Sequence, residues 1–336
     1  MERPLGSRYV LEAALGRGAT GEVWRGRSAD GVALAFKVLH ETLAHDPDTV
    51  RRFLQESTIL VHLAHPNLVR VHDLVAEGET LAIVMDLVNG RDLRDVLAEY
   101  GTVPPAEACR LAADTAAGLA AVHEAGIVHR DIKPENALLD LSERPPRVRL
   151  TDFGIAKIAE QPGSGRFTML VGTPQYVAPE VFDGNPPTPA SDLYALGIML
   201  YELCCGITPF AGGSAPQILR RHVDEAPGRP AGIPEPLWRL ITGLLAKDPA
   251  DRQPRAAALV NRLTALAHDL GGVPRAPVRR EPPPLVRGRP TGELRLGSPV
   301  SPAGCGENAP FVPGNEQVTA AAGVPSGGDS PSGFGR

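Results

Sequence analysis

The segment Val128-His129-Arg130-Asp131-Ile132-Lys133-Pro134-Glu135-Asn136 puts an acid, a base and an amide into one turn-like stretch bounded by a proline. Sixteen residues after Asn136, Asp152-Phe153-Gly154 closes the apolar run Val148–Thr151. An Asp and an Asn brought together by two loops make an oxygen-rich magnesium site suited to nucleotide phosphates. Upstream, Gly16-Arg17-Gly18-Ala19-Thr20-Gly21-Glu22-Val23 is a GxGxxGxV element. Glycines at this spacing let backbone N–H groups approach phosphate oxygens closely. Alone the element is weak evidence, because flexible turns also match it. A dinucleotide-binding turn has to open a helix, whereas the residues that follow here, EVWRGRS, alternate as a strand does. A strand–loop–strand hairpin over a nucleotide fits. Lys37 lies in the apolar strand Leu34–Val38, and a charge facing an apolar lobe needs a partner. Glu56, on the helical segment that follows, can supply one, and the pair would hold nucleotide phosphates. Taken alone, Lys37 also reads as an ordinary surface lysine.

Only four of the 34 basic residues are lysines: Lys37, Lys133, Lys157 and Lys247. In a chain that uses arginine so freely, they are candidates for places that need a compact ammonium rather than a planar fork.

The elements that must position these groups change character near residue 90. Before it come short alternating runs, Tyr9–Leu15, Glu22–Arg27, Val32–Leu39, Val69–Val75 and Leu81–Leu87, which predict antiparallel strands. One segment at helical spacing, Asp48–Leu63, interrupts them. After residue 90 the pattern predicts helices over Leu93–Glu99, Pro105–Ala125, Ser191–Cys205, Pro216–His222, Pro236–Leu245 and Arg255–Asp269. The expected fold class is α+β, a small antiparallel-sheet lobe with one main helix ahead of a larger helical lobe.

The 336 residues carry a formal net charge of −5, so no basic field covers the molecule and a general nucleic-acid binder is disfavoured. Four cysteines, Cys109, Cys204, Cys205 and Cys305, are too few and too scattered for a disulfide framework or a metal site. The N-terminus has no apolar signal-peptide core. The most apolar stretch, Leu193–Cys205, carries Glu202 and is too short to span a bilayer. A cytoplasmic protein without a transmembrane segment is expected. From Gly271 onward, 12 prolines and 13 glycines occur in 66 residues, the composition of a disordered tail.

In this order the motifs resemble those of a eukaryotic-type (Hanks-type) protein kinase. The resemblance implies a bilobal kinase domain at residues 9–268 (small lobe about 9–88, large lobe about 89–268), an N-terminal extension at 1–8 and a disordered tail at 269–336. It also implies ATP with Mg2+ or Mn2+, and phosphoryl transfer to protein hydroxyls. Residue by residue, Leu15, Gly16, Arg17, Gly18, Ala19, Thr20, Gly21, Glu22 and Val23 cover the nucleotide. Lys37 holds the α- and β-phosphates and pairs with Glu56. Asp131 orients the substrate hydroxyl and accepts its proton, Lys133 neutralises the γ-phosphate, and Asn136 and Asp152 bind the metal. Val23, Ala35 and Leu138 sandwich the adenine, with Met85 as gatekeeper and Asp86 to Val88 as hinge. Leu60, Val71, His129 and Phe153 form a stacked spine anchored by Asp192, which makes His129 structural rather than an acid–base group.

Lys133, two residues after the base, is the serine/threonine-type choice. Gly172–Glu180 resembles a peptide-binding loop followed by the APE element, in which Thr173 bridges Asp131 and Lys133 and Glu180 pairs with Arg252. That platform argues against a small-molecule kinase. Arg130 beside the base implies a switch by activation-loop phosphate, with Thr168 as the autophosphorylation candidate, Ser164 and Thr173 as alternatives, and Lys157 placed to meet the phosphate. The alternative to a working Ser/Thr kinase is a pseudokinase scaffold, against which the intact Lys37, Glu56, Asp131, Asn136 and Asp152 argue. Protein substrates follow from this reading. Homodimers formed back to back through the small lobe, as in bacterial relatives, are compatible with the resemblance.

Overall fold

Alternating apolar residues build a six-stranded antiparallel sheet from the first part of the chain. The computed structural model describes residues 2–18, 21–40, 59–78, 80–153, 174–252 and 255–287. The strands are β1 (Arg3–Leu5), β2 (Tyr9–Gly18), β3 (Gly21–Ser28), β4 (Ala33–Leu39), β5 (Val71–Glu77) and β6 (Thr80–Asp86), in the order β1-β2-β3-β4-β6-β5. Five of them fall where alternation predicts. The sixth, β1, lies in the segment expected to be a mere extension; three residues are too short to show a period, yet Leu5 is buried in the sheet's core. Of the segment 48–63, residues 59–62 are helical and 41–58 lie outside the described residues.

The two-residue period of β4 sorts its side chains. Leu34 and Phe36 join Leu5, Leu11, Val75, Ala82 and Val84 on one face, while Ala35 meets Val69 and Met85 on the other. Lys37 therefore emerges on the Ala35 face, between Val23 of β3 and Ile83 of β6 in the ladder.

The glycines at the end of the β2–β3 hairpin differ in what they need. A Cβ on Gly21 (φ +153°) would lie 2.1 Å from the Val38 carbonyl oxygen, so only glycine fits against β4. Among the described residues, Gly16 has nothing within 4 Å of its Cβ position and Gly18 only the Gly21 oxygen at 3.9 Å. Gly21→Ala is accordingly expected to lower the melting temperature by about 5 °C or more. Gly18→Ala should melt within about 2 °C of the parent and act on nucleotide KM instead. Thermal melts alongside ATP titrations separate the two; equal melting points would remove the distinction.

The helical part comprises α1 (Leu93–Tyr100), α2 (Pro105–Glu124), α3 (Pro179–Phe182), α4 (Pro189–Cys205), α5 (Ala215–Asp224), α6 (Glu235–Leu244) and α7 (Ala256–Asp269). α4 is apolar nearly all round and is buried from Ser191 to Cys205, as the central helix of a large lobe must be. A reciprocal Thr188–Ser191 capping box and Pro189 start it, and Gly206 (φ +78°) stops it. Around it pack α2, α6 and the 3-10 turns, with α7 laid along α2. The core of this lobe runs on into Leu39, Leu60, Leu81 and Ile83 of the small one.

A second sheet has three strands, β7 (Gly90–Asp92), β8 (Ala137–Asp140) and β9 (Arg147–Leu150); β8 and β9 form a hairpin around 141–146, and β7, at three residues, is too short to carry a usable period. Its β8–β9 hairpin pairs Ala137 with Leu150, so the chain leaves Asn136 at the same end at which it delivers Asp152.

Chain beyond residue 269 is also packed, contrary to the boundary that composition suggested. Thr102 Oγ1 donates to the Ala276 carbonyl at 2.7 Å, Ala276 is buried, and β11 (Val286–Arg287) pairs with β10 (Glu225–Ala226). Proline removes helix and ladder donors, but an extended proline-rich segment can still bury apolar atoms along a groove. Residues 288–336 lie outside the described residues. Among the described residues, no helix is long and apolar enough to cross a membrane.

One buried group gives the lobe an acid limit. His222 is wholly buried against Phe210, and its Nδ1 shares a 2.9 Å hydrogen bond with the Tyr194 hydroxyl. Burial, with the nearby Lys247 charge, pushes its pKa down to about 3 from an ordinary 6.5. Between those values the unfolded chain binds a proton that the folded chain refuses, so stability falls as pH drops through that window. Urea unfolding at pH 7 and pH 4.5 should show a loss that His222→Gln reduces; an unchanged pH dependence in the variant would contradict this.

Candidate active site

Among the described residues, two non-glycine residues carry left-handed backbone, Arg130 (φ +68°) and Asp152 (φ +61°), one in each of the two loops singled out from the sequence. Such conformations cost about 1–3 kcal/mol each and persist only where the surroundings over-determine them. At Arg130 the restraint is visible. Asp192, buried in the first turn of α4, accepts the His129 N–H at Oδ2 and the Arg130 N–H at Oδ1, both at 2.8 Å. His123 Nε2 bonds the same Oδ2 at 2.8 Å. A carboxylate in a helix's first turn is further favoured by the helix dipole.

His129 is fully buried, and burial lowers its pKa, so the ring is neutral. Its Nε2 donates to the Thr151 carbonyl at 3.1 Å, and the ring packs on Phe153 at 5.3 Å between centroids. The histidine thus ties the two loops together, as expected of a structural group. Leu60, Val71, His129 and Phe153 are all buried, the three apolar ones within the same core.

The Asp131 carboxylate is held from two sides. Its Oδ2 accepts Lys133 Nζ at 2.8 Å and Asn136 Nδ2 at 2.7 Å, and the same amide nitrogen reaches the Asp131 carbonyl at 2.7 Å. With Nδ2 committed to Asp131, the Asn136 Oδ1 is turned away as an oxygen donor. The Asn136 backbone oxygen accepts the Thr151 N–H at 3.0 Å, which holds Asn136 beside the residue preceding Asp152. Asp152 Oδ1 in turn lies 2.7 Å from Lys37 Nζ, a lysine whose side chain is only 12% exposed. A carboxylate and an amide oxygen are hard donors of the kind magnesium and manganese take, and two protein ligands leave room for phosphate oxygens. The residues present fit such a cation.

Several of the residues expected to line the adenine are brought together. Ala35, Met85 and Val69 form one buried cluster against which Leu87, Val88 and Leu138 pack. Val23 lies beside Lys37 in the ladder. The Asp86 side chain is engaged outward, by His72 Nε2 at 2.7 Å and Arg149 at 3.5 Å.

On the far side, Glu180 and Arg252 form the pair the sequence suggested, with two parallel 2.7 Å bonds. Glu56, Ala19, Thr20, Lys157, Ser164, Thr168 and Thr173 lie outside the described residues. Sequence reasoning missed the cluster of Arg94, Glu135, Tyr176 and Glu202. Its members stand up to 108 residues apart, so no local spacing could have signalled it.

A twisted antiparallel lobe joined to a helical lobe, with the two loops meeting in front of a buried helix, is the protein kinase fold. The sequence matches the protein kinase domain family over residues 9–262. It is 49% identical over 281 residues to the serine/threonine-protein kinase PkaA of Streptomyces coelicolor, covering 80% of this chain and 52% of that protein. It is 49% identical over 280 residues to PkaB of the same organism, covering 81% and 66%. Against PknA of Mycobacterium tuberculosis the identity is 35% over 286 residues, covering 83% and 65%. The crystal structure of the Mycobacterium tuberculosis PknI kinase domain is similar with a TM-score of 0.60 and 27% identity, covering 77% of this chain and 96% of that one. The chain belongs to the protein kinase family, and PkaA, PkaB and PknA are bacterial serine/threonine-protein kinases. It spans about half to two thirds of the length of the curated relatives.

Proposed function

We propose that the protein transfers the γ-phosphoryl group of ATP to serine and threonine hydroxyls of other proteins and of its own activation segment. The observation that carries this reading is the Asp131 carboxylate, held at one oxygen by Lys133 and Asn136 on a backbone pinned by Asp192. A carboxylate so fixed can align an incoming hydroxyl and accept its proton as the phosphoryl moves. Lys133, already beside that carboxylate, reaches the transferred group with its ammonium and offsets charge that spreads over the phosphoryl oxygens. Lys37 holds the nucleotide's inner phosphates, and Ala35, Met85, Val88 and Leu138 enclose the base. A divalent cation, when bound, neutralises phosphate charge, and Asn136 and Asp152 are the residues that would hold it.

The same reading assigns Thr168 as the autophosphorylation site, with Ser164 and Thr173 as alternatives and Arg130 as the phosphate's partner. ATP chemistry suits a cytoplasmic setting, as do the described cysteines, Cys109, Cys204 and Cys205, which are all free thiols. The acceptor class is tested with peptides identical but for Ser, Thr or Tyr at one position, assayed with labelled ATP and magnesium. Label on Ser and Thr but not on Tyr is expected; label on Tyr alone would overturn the reading.

A further inference from the structure

Beside the catalytic turn lies an ionic cluster that the chemistry above does not use. Arg94 of α1 donates Nε–H to Glu135 at 2.9 Å, one terminal N–H to Glu202 of α4 at 2.7 Å and another to the Tyr176 hydroxyl at 2.8 Å. The Tyr176 hydroxyl donates to the second Glu202 oxygen. Burial, and then the Glu202 charge, push the Tyr176 phenol well above its ordinary pKa, so it remains a donor.

The position of the cluster gives it meaning. Glu135 stands between Pro134 and Asn136, in the turn whose Lys133 and Asn136 hold Asp131. Tyr176 belongs to the segment that leads into α3. The surface beside Asp131 therefore carries Glu135, 41% exposed, and through the same Arg94 guanidinium it reaches Glu202, which is only 5% exposed. Two carboxylates at such a spot form a receptor for a planar cation, because a guanidinium offers five N–H donors in a fork. Here the fork comes from the chain itself, and Arg94 is itself 36% exposed at the surface of the cluster.

We propose that Arg94 occupies the acidic subsite beside the catalytic turn as an internal stand-in for a substrate's basic side chain, so that the protein chooses substrates without selecting arginine near the acceptor hydroxyl. This rests on Asp131 being the residue that receives that hydroxyl. Arg94 is then a specificity residue. A purely structural staple would affect all peptides alike, whereas an occupied subsite changes the ratio between peptides.

The test uses the full chain and a peptide set with one serine acceptor and Arg, Gln or Glu at each position from four before it to three after it. A matched set carries alanine at the acceptor, so that binding is read by fluorescence anisotropy whether or not transfer occurs. Wild type should bind and turn over Arg and Gln peptides within about threefold of each other at every position. In Arg94→Gln the Arg peptide should gain about tenfold or more at one or two positions, the scale of a charge-assisted bond. Raising the salt should shrink that gain. Tenfold selection of arginine by wild type, or an equal change for every peptide in Arg94→Gln, would overturn the proposal. The wild-type profile retains its power to contradict it even if the variant does not fold. Loss of all transfer with the binding ratios as expected would count against Asp131 chemistry alone.

Discussion

Exchanging Asp131 for asparagine is expected to lower phosphoryl transfer by about 10²–10⁴-fold while nucleotide affinity stays within a few-fold of the parent. The oxygen that accepts Lys133 and Asn136 is one of two equivalent carboxylate atoms, and an amide keeps only one acceptor. The variant can hold its neighbours or meet the substrate hydroxyl, but not both, and it cannot take the proton. The fold should survive, because the turn is shaped by backbone bonds to Asp192 and by the Asp131 carbonyl, which the exchange leaves in place. In the proposed reading the nucleotide is held by Lys37 and the Ala35–Met85–Leu138 cluster rather than by this side chain. Steady-state kinetics with a parallel nucleotide-binding titration checks both halves. Turnover within threefold of wild type would remove Asp131 from its assigned role.

The largest stability effect is expected at Glu180. The Arg252 side chain has no exposed surface, and every N–H of its fork is directed at a partner: Nε to the Ala246 carbonyl, one terminal nitrogen to Glu180 and Ala190, the other to Glu180 and Lys247. The guanidinium also stacks on Tyr194 at 4.8 Å. Glu180→Ala strips two of these bonds and leaves a buried cation without a counter-charge, a loss of about 3–5 kcal/mol. That corresponds to a fall in melting temperature of about 10 °C. Adding Arg252→Met to Glu180→Ala should recover part of the loss, since the unpaired charge goes with it. Calorimetry on the two single variants and the double variant reads the coupling; strict additivity would contradict it.

Chemistry that is local in the chain was legible in the sequence. Asp131, Lys133 and Asn136 share one turn, and Asp152 follows from a short hairpin, so their meeting is a consequence of connectivity. The long strands were legible as short apolar runs, and β4 and β6 are apolar nearly throughout because both of their faces are buried. What connectivity does not determine stayed hidden. Lys37 meets Asp152 across 115 residues, Arg94 gathers partners from three separate elements, and β1 and β7 are too short to carry a pattern. The docked stretch before residue 288 escaped for another reason: proline and glycine counts report lost propensity, whereas its bonds at Thr102 and β10 come from a groove that only the folded lobe creates.

The measurement that bears most directly on the central claim is phosphate transfer by the wild-type chain from ATP labelled at the γ-position, run with magnesium and with the metal chelated, while nucleotide binding is followed in the same samples. Label on serine or threonine of the chain or of an added protein, lost on chelation, is the predicted result. Nucleotide bound with no label on any protein would contradict a working kinase and favour a scaffold that keeps the fold without the turnover.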